Sequence, residues 1–109
     1  MEAGQTRKMG IDVHLRGESG EVIGEVSDLD MILSRASQRA LSDTRLLKYL
    51  VPWGDAMFNQ AQAADLSDDI REMLRVHART PLGDRLREVQ GLVDRLAAGT
   101  HVYLWFVGD

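Results

Sequence analysis

The segment from Trp53 to Asn59 contains the densest mixture of residues that could do chemistry in this chain. It combines the aromatic side chains of Trp53 and Phe58 with one carboxylate and one amide, those of Asp55 and Asn59. Aromatic walls with a few polar groups are typical of small ligand pockets. The same residues also fit a structural role, in which the aromatics anchor a loop, Asp55 caps the next element and Asn59 holds a turn. The segment is therefore a candidate site for a ligand or a partner.

The chain has three histidines, of which His14 falls on the polar side of the first predicted strand and His77 and His101 are the candidate general bases. No two of them have the spacing of a metal-binding pair, so the sequence predicts no metal site. If the fold brings His77 or His101 to Asp55 or Asp109, the two groups could act together in acid–base chemistry. Alternatively, His77 ends a helix and His101 opens a strand, which are ordinary places for capping or surface histidines. Both join the candidate binding residues, without a catalytic assignment.

A run of carboxylates in the second half of the chain raises the question of a magnesium site, because Mg²⁺ prefers carboxylate ligands. The run consists of Asp65, Asp68, Asp69 and Glu72. Arg71 lies three residues after Asp68, which is the spacing of a helical ion pair. Arg75 follows Glu72 at the same spacing. The sequence therefore predicts a solvated, charged helix face rather than a metal site.

The chain contains no recognisable catalytic motif. None of its serines lies in a Gly-x-Ser-x-Gly or Ser-x-x-Lys pattern. Gly17 and Gly20 stand alone and fit a hairpin turn better than a phosphate-binding loop. The absence of cysteine excludes disulfides, thiolate zinc sites and cysteine nucleophiles. The sequence thus predicts no catalytic residue and no cofactor.

Length and composition are those of one small globular domain. The chain has 109 residues, 44% of them apolar, which is enough for a single core. Residues 1–8 are polar and without pattern, so we expect a flexible tail before a domain of residues 9–109, with Met9 as an alternative start. The many arginines, few lysines and single asparagine are typical of GC-rich bacterial genes.

Charge and hydropathy narrow the choice of partner and compartment. A net charge of −4 argues against nucleic acid, because binding there depends on neutralising phosphates. No segment reaches the roughly 18 apolar residues of a membrane span. The charged N-terminal residues are not followed by the apolar run of a signal peptide. We expect a cytoplasmic protein that does not bind membranes.

Alternating side chains predict three strands. Apolar and polar residues alternate over residues 11–15 and 22–26, and the glycines within residues 17–20 predict a hairpin turn between them. Over residues 102–107 both alternating sets are apolar, which is typical of a strand covered on both faces. We expect this last strand to lie inside the sheet, beside the hairpin.

Three segments have the spacing of amphipathic helices. They are residues 28–40, residues 63–77 and residues 81–98. The last begins at Thr80-Pro81, an N-cap followed by proline at the first helical position, and its Gly91 predicts a close approach of another element. Residues 45–62 fit either helix or strand. The expected fold is α+β, with an N-terminal β-hairpin and a C-terminal interior strand in a small sheet, packed by three to four helices.

The layout resembles small single-domain bacterial proteins, actinobacterial in type, whose function is unknown. Three pieces carry the resemblance: Met9-Gly10-Ile11, the aromatic-Gly-Asp-x-x-Phe-Asn stretch from Trp53 to Asn59, and the apolar strand from Tyr103 to Asp109 that ends in Gly-Asp. The resemblance covers most of the chain. It implies no activity, so no functional residue is carried over from it.

The sequence favours a non-catalytic protein-interaction or regulatory module, of an accessory or toxin-neutralising kind. Small size, negative charge and large apolar groups in the central segment and the last strand support this hypothesis. The alternative is a small-molecule-binding protein or hydrolase with a pocket around Trp53–Asn59. The expected partner is another protein, and a homodimer is the other option, because the hairpin presents an edge strand.

Overall fold

The computed structural model describes residues 11–27, 29, 36–51 and 54–108. Three predictions fall on residues outside these ranges: the tail over 1–8, most of the helix over 28–40, and the binding role of Trp53. They stay predictions.

Four antiparallel strands form one sheet: β1 (Ile11–Gly17), β2 (Val22–Val26), β3 (Asp55–Phe58) and β4 (Val102–Gly108). Their order across the sheet is β2-β1-β4-β3. The last strand therefore lies between β1 and β3, as the sequence predicts. The α+β class and the N-terminal hairpin are confirmed as well.

Three α-helices are described: α1 (Gln38–Ser42), α2 (Ala63–His77) and α3 (Pro81–Ala98). The predicted bounds of α3 are confirmed, because local residues determine where it begins. The hydroxyl of Thr80 accepts a hydrogen bond from the amide of Gly83 at 3.2 Å, and Pro81 needs no donor at the first position. Within the described ranges, every helix is too short or too polar to cross a bilayer.

Within the predicted helix over residues 28–40, the described residues Leu29, Ala36 and Ser37 are not helical, whereas residues 38–40 are. Ser37 has an extended backbone, with φ −60° and ψ 125°, and its hydroxyl accepts the amide of Ala40 at 3.3 Å. Ser37 therefore caps a new helix, α1, which continues to Ser42. A short polar side chain that binds nearby backbone donors favours the start of a helix over its interior.

Residues 45–62, which fit either helix or strand by sequence, contain both kinds of structure. Leu47–Tyr49 and Gln60–Gln62 are single 3₁₀ turns, whereas Asp55–Phe58 forms β3. β3 pairs with β4 from Asp55 opposite Val107 to Phe58 opposite Leu104. Pairing with a distant strand decides the structure of a short segment whose local pattern is ambiguous.

The core lies between one face of the sheet and the long helices. α3 packs across β1, β2 and β4, and α2 packs on α3. We call this face of the sheet the inner sheet face. Its fully buried side chains in the two central strands are Ile11, Val13, Leu15, Leu104 and Phe106.

The chain turns from α2 into α3 with little space between the two backbones. A Cβ atom at Gly83 would collide with the carbonyl oxygen of His77 and would lie 3.0 Å from that of Ala78. A Cβ atom at Gly91 would have no atom within 4 Å. The close approach predicted at Gly91 is therefore wrong, and it occurs at Gly83 instead.

Candidate functional site

The second face of the sheet carries an unusual group of side chains. Because side chains alternate along a strand, the neighbours of the core residues point to the opposite side. We call this side the outer sheet face. Its described residues are Asp12, His14, Arg16, Val22, Ile23, Glu25, Asp55, Met57, Tyr103, Trp105 and Val107.

Trp105 occupies the centre of the outer sheet face. It pairs with His14 of β1 on one side and with Met57 of β3 on the other. His14 in turn pairs with Glu25 of β2, so one row of side chains crosses all four strands. Directly opposed side chains are close enough to contact one another, so this row forms a continuous surface.

Arg16 fixes the position of the central aromatic ring. Its guanidinium carbon lies 4.7 Å from the ring centroid of Trp105, within the range of a cation–π contact. Its Nη2 atom lies 3.1 Å from Nδ1 of His14. Since arginine has only donors, Nδ1 of His14 accepts this hydrogen bond. A neutral His14 therefore carries its proton on Nε2, which lies 3.3 Å from Oε2 of Glu25.

Asp12 lies beside this pair, and the geometry of the three groups raises the question of a metal site. One ligand atom from each of Asp12, His14 and Glu25 lies within 4.8 Å of the others. A cation would need the lone pair of Nε2, but the bond from Arg16 favours the form with a proton there. The guanidinium also adds positive charge beside the imidazole. These residues are better described as a hydrogen-bonded network than as metal ligands.

The outer sheet face is rich in accessible apolar surface. Tyr103, Trp105 and Val107 are half-buried, while Met57 and Ile23 are 49% and 41% exposed. The sequence predicted that β4 is covered on both faces, and this holds only for the inner one. The difference arises because α3 packs against the inner sheet face.

Within the predicted segment around residues 53–59, the described polar groups have structural partners. Oδ1 of Asp55 accepts the amide of Gly108 at 3.1 Å, which ties β3 to the end of β4. Oδ1 of Asn59 accepts the amide of Ala61 at 2.9 Å and so caps the following 3₁₀ turn. These contacts match the structural role that the sequence left open for both residues.

Phe58 belongs to the core. It is 8% exposed, and its ring meets that of Phe106 edge-on, with centroids 5.6 Å apart. A side chain in this position supports the sheet from the inner face and presents little surface to a partner. Phe58 is therefore not part of the outer sheet face.

The two candidate histidines contact residues other than Asp55. Nε2 of His77 accepts the amide of Ser37 at 3.0 Å, which joins the end of α2 to the start of α1. His101 precedes β4 with a positive φ of 58°, and its Nδ1 lies 4.0 Å from Glu18. Asp55 pairs with Val107 at the other end of the strand, which places it about 20 Å along β4 from His101. Asp55 and His101 therefore share no catalytic site.

The charged helix face predicted from the carboxylate run is present in α2. Arg71 pairs with Asp68 at 2.8 Å, and Arg75 pairs with Glu72 at 2.9 Å. Asp69 is the exception, because it is 2% exposed and does not face solvent. Sequence spacing alone gave no sign that this one carboxylate turns inward.

Asp69 organises the segment before β3. Its Oδ1 accepts the amide of Arg45 at 2.8 Å, and its Oδ2 accepts those of Leu46 and Leu47 at 2.8 and 3.1 Å. One buried carboxylate thus satisfies three backbone donors at the start of the 3₁₀ turn Leu47–Tyr49. Its role is structural.

A concave surface of about 320 Å³ lies beside α2, on the helical side of the molecule. Arg45 pairs there with Asp65 at 2.9 Å, and the other arginines belong to the helical ion pairs above. The three arginines of this groove are thus already paired with carboxylates, so none of them is left over to hold an anionic ligand. Its lining residues are Asp43, Arg45, Asp68, Asp69, Arg71, Glu72 and Arg75.

Comparisons of the chain with protein-family models, with curated proteins and with solved structures find no match.

Proposed function

We propose that this chain is a non-catalytic protein-interaction module of an accessory, regulatory or toxin-neutralising kind, and that it binds its partner through the outer sheet face. The observation that carries the proposal is the cluster around Trp105. Tyr103, Met57 and Arg16 surround this tryptophan. Tyrosine, tryptophan, methionine and arginine are the residue types enriched at the centres of protein interfaces, and three of them dominate binding hot spots.

The arrangement of charge around this cluster supports the same proposal. Asp12 and Asp55 flank Val107 at one end of β4, and Glu25 lies at the β2 side of the central row. Interfaces that bind proteins commonly have an aromatic centre and a polar rim that excludes water from it. The outer sheet face has that distribution.

The cluster is also held in place before any partner arrives. Trp105 lies on a strand paired on both sides, and the guanidinium of Arg16 covers its ring. A side chain that is already fixed loses little conformational entropy when it binds, so more of its contact energy contributes to affinity.

We place the module in the bacterial cytoplasm as part of the same proposal. Support comes from the lack of cysteine and from the arginine-rich composition. The pocket alternative around residues 53–59 receives no comparable support, because Asp55 and Asn59 hold backbone amides and Phe58 is buried.

Trp105→Ala should weaken capture of the partner from a lysate of the source organism at least about tenfold, as expected for the loss of a hot-spot residue. The measurement is quantitative mass spectrometry of proteins retained by the immobilised chain. The matched control is Tyr49→Ala, which removes an aromatic side chain that is 72% exposed in a 3₁₀ turn away from the sheet.

Met57→Ser provides a second test that removes apolar surface without adding charge and leaves the core intact, because this side chain is 49% exposed on the edge strand β3. It should reduce capture of the same protein while the urea unfolding midpoint stays unchanged. If the Trp105 and Met57 variants retain the partner as well as the wild-type chain does, the proposed function is wrong. It is also wrong if the Tyr49 control loses the partner to the same extent as they do.

A further inference from the structure

We infer that the partner presents a basic amphipathic helix, which lies along β4 on the outer sheet face. This inference rests on the proposed function and specifies the class of partner. Four features of the described residues lead to it: the state of the sheet edges, the charge of the face, its size and the direction of its apolar ridge.

The edges of the sheet are poorly suited to adding a strand from another chain. On the outermost strand β2, the carbonyl of Ile23 already accepts a hydrogen bond from Nη2 of Arg95 at 3.0 Å. A register shift beside Arg16 also interrupts the regular pairing there. At the other edge, β3 is only four residues long. Short, irregular and occupied edges discourage strand addition, so the partner is expected on the face.

The charge of the outer sheet face selects a basic partner. Among the described residues of this face, the carboxylates of Asp12, Glu25 and Asp55 outnumber the guanidinium of Arg16. That guanidinium is already occupied by the ring of Trp105 and by His14. A second copy of this chain, whose net charge is −4, would be repelled by the same carboxylates. Lysine or arginine side chains placed along the rim would be attracted.

The size of the face matches one helix rather than a whole subunit. Four strands spaced about 4.8 Å apart, each up to seven residues long, give a footprint of roughly 19 Å by 24 Å. This is little more than half of the roughly 800 Å² that each partner buries in a stable complex. A helix about 10 Å wide and about 16 residues long covers the same length.

The apolar ridge on β4 gives the direction in which such a helix would lie. Tyr103, Trp105 and Val107 follow one another on one side of the strand, about 14 Å from end to end. Met57 lies beside the middle of this ridge. A helix with apolar residues at every third or fourth position presents a stripe of the same length over two to three turns.

The test uses a fluorescein-labelled 18-residue peptide of leucine and lysine, patterned as an amphipathic helix, and the same peptide with glutamate in place of lysine. Fluorescence anisotropy at low ionic strength measures both dissociation constants with the full chain. The lysine peptide should bind at least tenfold more tightly than the glutamate peptide. Trp105→Ala should weaken the lysine peptide by at least tenfold.

Two double variants of equal net charge test whether peptide binding depends on the carboxylates of the outer sheet face or on negative charge anywhere on the surface. Glu25→Gln with Asp55→Asn removes two charges from the outer sheet face and keeps the oxygens that accept from His14 and Gly108. This variant should weaken the lysine peptide about fivefold. The control is the same double change on the exposed side of α3, Glu88→Gln with Asp94→Asn, and it should alter the dissociation constant less than twofold.

Equal binding of the two peptides, or equal weakening by the two charge variants, would overturn the helix inference. If a partner is captured from the lysate in a Trp105-dependent manner while the lysine peptide does not bind, the partner class is wrong and the interaction function stands. If neither binding depends on Trp105, both proposals fail.

Discussion

Replacing Gly83 with alanine is expected to lower the free energy of unfolding by about 3 kcal/mol, one of the two largest effects that the structure predicts. The added Cβ would collide with the carbonyl oxygen of His77 and would lie 3.0 Å from that of Ala78. Both atoms belong to the backbone, so neither can rotate away as a side chain could. The turn between α2 and α3 would have to open, which would disturb the buried contacts of both helices.

Urea unfolding, followed by circular dichroism, measures this change, and Gly91→Ala is its matched control in the same helix. A Cβ at Gly91 meets no atom within 4 Å. This substitution should therefore raise the free energy of unfolding by about 0.5 to 1 kcal/mol, because alanine is the better helix former. Similar effects from the two substitutions would show that the α2–α3 turn is not as tight as described.

Asp69→Ala is expected to cost about 3 kcal/mol, since it leaves three backbone amides, one buried and two partly buried, without their acceptor. The amides are those of Arg45, Leu46 and Leu47, at 2.8 to 3.1 Å from the carboxylate. Hydrogen bonds to a charged acceptor are stronger than neutral ones, and their loss in a buried site is not recovered from water. The 3₁₀ turn Leu47–Tyr49 would lose its fixed start.

Two further variants make this prediction specific to the position. Asp69→Asn retains one acceptor oxygen, so its effect should lie between that of alanine and the wild type. Asp68→Ala removes only a surface ion pair with Arg71, in which both side chains are more than half exposed, and it should change the unfolding free energy by less than about 1 kcal/mol. Equal losses at positions 68 and 69 in urea titrations would contradict the capping role.

The two long helices α2 and α3 and the central strands could be predicted from sequence because their signals are local. Thr80 and Pro81 determine where α3 begins, and its apolar stripe spans the helix in steps of three and four residues. The double apolar alternation of residues 102–107 likewise predicts an interior strand. By contrast, β3 is four residues long, and only its pairing with β4 makes it a strand. The local sequence of β3 gives no information about its pairing with β4, which lies more than 40 residues later in the chain.

The outer sheet face could not be predicted, because its residues come together only through strand register. Arg16 and Trp105 come from opposite ends of the chain, and they contact each other because β1 pairs with β4. The sequence placed His14 on the polar side of its strand, but it gave no sign of Glu25 as its partner. The sequence instead pointed to Asp55 and Asn59, because several rare residue types occur close together there. In the structure these two side chains accept hydrogen bonds from backbone amides.

The strand order also has a consequence during protein synthesis. Because β4 lies between β1 and β3, neither of those strands has its inner neighbour until residues 102–108 have left the ribosome. The hairpin and helices can form earlier from local contacts, but the sheet closes only in this late step. Until then, β1 and β3 expose unpaired backbone edges that can join other chains. Chains truncated before Val102 should therefore aggregate rather than remain as smaller folded domains.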